Sequence, residues 1–157
     1  MQCREAVASF GKNGHFVFHQ CNPRSAVTVH VQLSGLGRRQ VHAFHVHEFG
    51  DLRGGCDTLG GHFDPDGVDH GDGSLGAGHG GDLLNNLPRS TPSGRVSFTF
   101  ETRDISLCPR SRRCILGRSV VVHQGVDDLG RGGTRESRTT GSAGGRLMCA
   151  VVGISKA

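Results

Sequence analysis

The chain has 157 residues, among them 26 glycines, 10 histidines and 6 cysteines, with no tryptophan or tyrosine. That length fits one domain, and so much glycine fits short strands joined by long loops better than helices. The formal charge of +4 gives a solvated basic surface that attracts anions. No basic helix or aromatic-interleaved patch argues for nucleic acid, and no apolar run reaches the length of a membrane span. Met1 to Glu5 lacks an apolar signal region, which points to an intracellular or already trimmed chain; the expected compartment is the cytoplasm. Ser155-Lys156-Ala157 is only distantly like a peroxisomal tail.

Ala6 to Phe10 and His15 to His19 read as a hairpin about the turn Gly11-Lys12-Asn13-Gly14. His15 and His19 carry no motif and read as ordinary surface side chains. Ala26 to Leu33 alternates, with Val27, Val29, Val31 and Leu33 inward and Thr28, His30 and Gln32 outward. His30 is therefore an exposed residue and not a ligand. Ser34-Gly35-Leu36-Gly37 turns the chain into a strand ending at His47. From Gly50 to Gly81 the chain is dense in Gly, Asp and Pro, with a plain turn signal at Asp64-Pro65-Asp66-Gly67. A loop of that length is unusual in a compact domain unless it is functional.

Leu83 to Leu87 is a short apolar run, and Pro88 to Gly94 is a loop. Val96, Phe98 and Phe100 alternate with polar residues as another strand. Cys108 to Arg113 is a basic turn, read as a solvated loop. Cys114 to His123 reads as a buried strand, Gly125 to Gly145 as irregular, and Leu147 to Ile154 as the closing strand. The count is eight strands with long loops after the fourth and the seventh, which argues a sandwich or barrel.

The histidines carry the chemistry. Val41 to His47 alternates like a strand, so His45 and His47 project from one face, close enough to share a metal. His62, His70, His79 and Asp82 form a His-plus-carboxylate set suited to tetrahedral zinc. His45, His47, His62 and His123 form an all-nitrogen set suited to copper(II). His62 belongs to both because an imidazole has two ring nitrogens and, once deprotonated, bridges two metals. The plainer reading is scattered surface histidines or a single zinc site.

The stretches His45-Val46-His47-Glu48-Phe49-Gly50-Asp51, Gly55-Cys56, Gly60-Gly61-His62-Phe63-Asp64-Pro65, His79-Gly80-Gly81-Asp82-Leu83, Gly117 to His123 and Gly144 to Cys149 resemble the copper–zinc superoxide dismutases, in order and over nearly the whole chain. The resemblance implies an all-β, eight-stranded Greek-key barrel with two long functional loops. It implies dismutation of superoxide by a redox-cycling copper, with zinc fixing the loop and the bridging His62. On reduction that bridge would open and take up a proton for the product peroxide. It also implies a Cys56–Cys149 disulfide, an Asp127 that links one copper ligand to one zinc ligand, and an Arg146 that guides the anion.

Further implications of the resemblance are a homodimer through the region of Gly50, Leu116, Gly117, Val151 and Ile154, with Arg53 beside it, and a copper chaperone as a partner. Cys3, Cys21, Cys108 and Cys114 have no assigned partner and read as free thiols.

The chain departs from the family pattern in three places. In Thr134 to Thr139, Glu136 remains while Arg135 replaces an acid and Thr139 a lysine, with Arg138 adjacent. Leu84 and Ala43 stand where the family has glycines, and a larger side chain there would cost stability if the glycine served close packing. Two other functions compete. A non-catalytic relative would have lost a copper ligand or the arginine, and neither is lost. A zinc hydrolase needs an open zinc position, which four ligands do not leave.

Overall fold

The computed structural model of the chain describes residues 3–156. Met1, Gln2 and Ala157, on which the readings of a leader and a tail partly rested, lie outside the described residues. Seven strands form the fold: β1 (Arg4–Ser9), β2 (Gly14–Gln20), β3 (Val27–Leu33), β4 (Phe44–His47), β5 (Val96–Thr102), β6 (Ser119–His123) and β7 (Arg146–Ile154). One short helix, α1 (Arg135–Thr140), lies between β6 and β7. No helix among the described residues is long and apolar enough to cross a membrane.

The strands make one antiparallel sheet in the order β4-β6-β7-β1-β2-β3-β5. Its two edge strands come together across the core. The ring of Phe44 on β4 lies 6.0 Å from that of Phe100 on β5 and 5.6 Å from that of Phe16 on β2. The sheet therefore curls into a half-barrel, closed by packed side chains instead of a further row of hydrogen bonds. Inside are Phe16, Phe18, Val27, Val29, Val31, Val46, Val120, Val122 and Val152. These are the alternate positions that the period-two pattern marks as inward. In β3 the buried and open residues alternate as expected, and His30 is exposed.

The all-β barrel expectation holds, with seven strands in place of eight. Leu83 to Leu87 is not a strand. Leu83 and Asn85 have φ of 51° and 61°, a left-handed conformation that interrupts extended pairing. Only Asn86 pairs, in an isolated bridge to Ala43. The run is apolar because Leu83 and Leu87 plug the core. The strand read from Cys114 begins only at Ser119, after a turn at Gly117, whose φ is 80°. The irregular stretch from Gly125 to Gly145 holds α1, opened by Thr134, whose hydroxyl accepts the Ser137 N–H at 3.0 Å. This is an ordinary N-cap. Gly141 closes the helix with φ +68°.

The two residues in glycine positions are accommodated. Ala43 is fully buried and Leu84 packs against the core, neither with positive φ. The reading of four free thiols is corrected. Cys108 and Cys114 are free, but Cys3 and Cys21 are joined. The β1–β2 register explains it: Arg4 pairs with Gln20, so Cys3, just before Arg4, and Cys21, just after Gln20, come opposite each other.

Candidate metal centre

Four elements build the centre. β4 pairs with β6, with His45 opposite Val121 and His47 opposite Ser119. Phe44 and Val46 fill the core, so His45 and His47 point from the opposite face of the strand. The free edge of β4 is hydrogen-bonded by the long loop: Glu48 N–H donates to Gly61 at 3.0 Å, Phe63 N–H to Val46 at 2.8 Å, and Val46 N–H to Gly81 at 2.9 Å. An open sheet edge is thereby covered, and His62 lands beside His47. A register shift at the end of β6 turns His123 toward them.

The expected residues come together as two sets. Ligand atoms of His45, His47, His62 and His123 lie within 4.8 Å of one another, and so do those of His62, His70, His79 and Asp82. His62 belongs to both.

One nitrogen of most of these rings is already used for orientation. His45 Nε2–H donates to Asp127 Oδ2 at 2.6 Å, and His70 Nε2–H to Asp127 Oδ1 at 2.8 Å. His47 Nδ1–H donates to the Gly60 carbonyl at 2.9 Å, and His123 Nδ1–H to that of Gly144 at 3.2 Å. Wherever the ring is neutral, such a bond leaves its other nitrogen as a lone pair turned into the cluster. Asp82 Oδ1 lies 2.9 Å from His62 Nδ1, 2.9 Å from His70 Nδ1 and 3.3 Å from His79 Nδ1.

Buried polar atoms without partners are costly, and three sit here: His45 Nδ1, His62 Nε2 and His70 Nδ1. All three belong to the two sets, which is the donor chemistry a pair of cations would satisfy. Burial, aided by the neighbouring charge of His62, pushes His45 down to about 3, His47 to about 2 and His123 to about 4. These imidazoles are neutral at ordinary pH, as ligands must be. Burial also works to lower His70, but its hydrogen bond to Asp127 and the adjacent Asp82 carboxylate outweigh it and hold it up at about 9. Burial works against charge on Asp82 and Asp127, yet their histidine partners hold both well below the usual carboxylate range.

Arg146, at the start of β7, donates to the carbonyls of Cys56 and Gly60, each at 2.6 Å. Cys56 is bonded to Cys149, so the loop that holds the arginine is tied to the arginine's own strand. With His47, His123, Arg135, Glu136 and Thr139, Arg146 lines a cavity of about 540 Å³.

Several supporting residues escaped the sequence reading. His42 is buried; its Nδ1–H donates to the His123 carbonyl at 2.9 Å and its Nε2 accepts the Gly37 N–H at 3.1 Å. Its signal was a histidine on the core side of an alternating strand, where both nitrogens need partners. Asn86 clamps the Asp127 backbone with two bonds, and the Asn85 amide reaches Asp127 Oδ2 at 3.2 Å. Gly141 also belongs here, because a Cβ on it would fall 2.3 Å from Asp127 Oδ1 and 2.5 Å from His70 Nε2.

Residues 12–152 match the family model described as copper/zinc superoxide dismutase. The chain belongs to the copper–zinc superoxide dismutase family. It is 42% identical over 143 residues to a superoxide dismutase [Cu-Zn] of Schizosaccharomyces pombe, covering 91% of this chain and 90% of that one. It is 44% identical over 141 residues to an extracellular superoxide dismutase [Cu-Zn] of Drosophila melanogaster, covering 90% of this chain and 75% of that one. Its fold is similar to the crystal structure of the clock protein EA4, with a TM-score of 0.85, 37% identity, and coverage of 98% and 94%. Copper and zinc are the cofactors of this family, and the two donor sets with their orphaned nitrogens fit them. A non-catalytic role is not favoured.

Proposed function

We propose that His45, His47, His62 and His123 hold the copper, that His62, His70, His79 and Asp82 hold the zinc, and that Arg146 receives the substrate. The activity is dismutation: two superoxide ions and two protons give one dioxygen and one hydrogen peroxide. Copper supplies the one-electron redox chemistry, and zinc supplies none.

The chain's own residues do the rest. Asp127 orients one ring from each set, a carboxylate–histidine support that raises ligand basicity. The Arg146 guanidinium, always charged and planar, is aimed by two carbonyls toward the cavity that His47 and His123 line. His62 Nε2, buried and without a hydrogen-bond partner, is the atom that would hold a proton bound for the product. The observation that carries this reading is the sharing of His62 between two buried donor sets. Metal analysis with a superoxide-decay assay tests it. One copper and one zinc per chain with rapid decay is the expected result; an inactive, fully metallated protein would restore the non-catalytic reading.

We also read the described span as one domain, since the family match and the sheet both run through it. A homodimer is supported by two exposed apolar side chains, Ile154 at 82% and Phe49 at 54%. Next to Phe49, Gly50 sits so close to the Gly117 carbonyl that a Cβ would fall at 2.2 Å. Sedimentation tests the dimer. A copper chaperone fits a copper site buried beneath its loops, and pull-down of a thiol-rich copper carrier tests it. For the compartment, the cytoplasm is our first reading. The second disulfide, Cys3–Cys21, favours an oxidising compartment instead, and fractionation with thiol trapping separates the two.

A further inference from the structure

Away from the metal centre, the open end of the β1–β2 ribbon gathers three soft donors. Cys3 comes just before Arg4 and Cys21 just after Gln20, the last pair of the ribbon, and His19 precedes Cys21 by two residues. His19 lies near the end of β2 and Cys21 just beyond it, with Cys3 bonded across to Cys21. One ligand atom from each of the three lies within 4.8 Å of the others, and His19 Nε2 is 3.1 Å from Cys21 Sγ. Cys21 is exposed, and Cys3 and His19 are half-buried. Glu5, paired with His19 across the ribbon, is already engaged: its Oε1 accepts the Ser155 hydroxyl at 2.8 Å. His19, read from sequence as an ordinary surface side chain, is therefore part of a Cys₂His cluster.

We propose that Cys3, Cys21 and His19 form an accessory site for a thiophilic d¹⁰ cation, Zn(II) or Cu(I), opened when their disulfide is reduced. Two thiolates and an imidazole are the ligands such ions select, and a Cys₂His set leaves the fourth zinc position to water. Tetrahedral bonds of about 2.3 Å to sulfur and about 2.0 Å to nitrogen need donors a little under 4 Å apart, and the three ligand atoms lie within 4.8 Å of one another. The switch balances chemically. A small-molecule thiol reductant transfers two electrons and two protons to the Cys3–Cys21 bond and becomes its own disulfide. Cation binding then releases the two thiol protons. The oxidised ribbon is a covalent clip, and the reduced ribbon can be clipped by the ion.

The experiment uses the full chain with its copper and zinc already bound. Oxidised and reduced protein is titrated separately with Zn(II) and with Cu(I), and bound metal is counted after desalting. Co(II) serves as a probe of thiolate ligation, through near-ultraviolet sulfur-to-cobalt absorption. The reduced parent should take up one more equivalent than the oxidised parent and show that absorption with Co(II). Cys3→Ser/Cys21→Ser, which keeps the other four cysteines, should show neither. Outer partners of metal ligands are worth roughly 10–100-fold in affinity, so His19→Ala, which leaves the disulfide intact, should weaken uptake by at least about tenfold. Equal uptake by reduced parent and double serine variant would overturn the proposal, as would His19→Ala binding as tightly as the parent. Preference for Zn(II) or for Cu(I) identifies the ion. None of these readouts depends on dismutase turnover.

Discussion

Arg146 and His47 donate to one acceptor, the carbonyl oxygen of Gly60, at 2.6 and 2.9 Å. The residue proposed to receive the anion and a proposed copper ligand are thus positioned by the same peptide. Arg146→Glu reverses the charge at the point of approach without removing a donor from either metal set. Electrostatic steering changes on-rates by roughly 10–1000-fold, so superoxide turnover should fall by at least about tenfold with both metals retained. Full activity in the fully metallated variant would remove Arg146 from the mechanism.

Salt should slow the parent, because charges are screened over about 10 Å at 0.1 M. Arg135 stands further out on α1, at the rim of the same cavity. Arg135→Glu should change turnover much less than Arg146→Glu. Superoxide decay against ionic strength for parent and both variants checks this; equal losses would show that the rim charge governs the approach as strongly as Arg146.

Asp82 contributes only to the set with His70 and His79. Asp82→Ala should therefore release zinc first, while the four nitrogens of the other set still bind copper. Retention of full zinc in this variant, measured by elemental analysis, would refute the ligand assignment.

Asp127 behaves differently, because it braces one ring from each set. Asp127→Ala should weaken both metals together, each by roughly 10–100-fold, although it is assigned as a ligand to neither. Competition with chelators of graded strength gives the two affinities. Loss of one metal alone would mean that the brace matters on one side only.

The Cys56–Cys149 bond closes a loop across 93 residues. On the chain-entropy model such a closure stabilises by roughly 4.7 kcal/mol, less any native strain. Cys56→Ser/Cys149→Ser should melt lower and bind the anion less well, since the Cys56 carbonyl that holds Arg146 is no longer tethered. An unchanged melting curve in the variant would contradict this.

The clustering of the proposed ligands was legible in the sequence because residue type, strand alternation and loop composition all speak through local spacing. β3 and the β1–β2 hairpin were legible for the same reason. Leu83 to Leu87 misled because apolar content reports burial, whereas the left-handed backbone at Leu83 and Asn85 is silent in an alternation pattern. The Asn85–Asn86 pair was the available hint, since asparagine tolerates that conformation. Asp127 lies 82 and 57 residues from its partners His45 and His70 along the chain, and only a family resemblance could bring it to them. The Cys3–Cys21 pairing needed register, which follows from hairpin geometry once the turn at Gly11 to Asn13 is known.

Gly141 ends α1 and also abuts Asp127 and His70, with no room for even one carbon between them. The outer wall of the proposed anion approach and the brace of the two proposed metal sets consequently meet at a single residue. This divides what the segment is free to vary. Its solvent-facing charges at Arg135, Glu136 and Arg138 can drift between relatives, because exchanging them moves no backbone. Its length cannot, because one residue more or less would slide a side chain into the carboxylate. Diversity among such proteins should therefore accumulate here as substitutions, with insertions and deletions excluded.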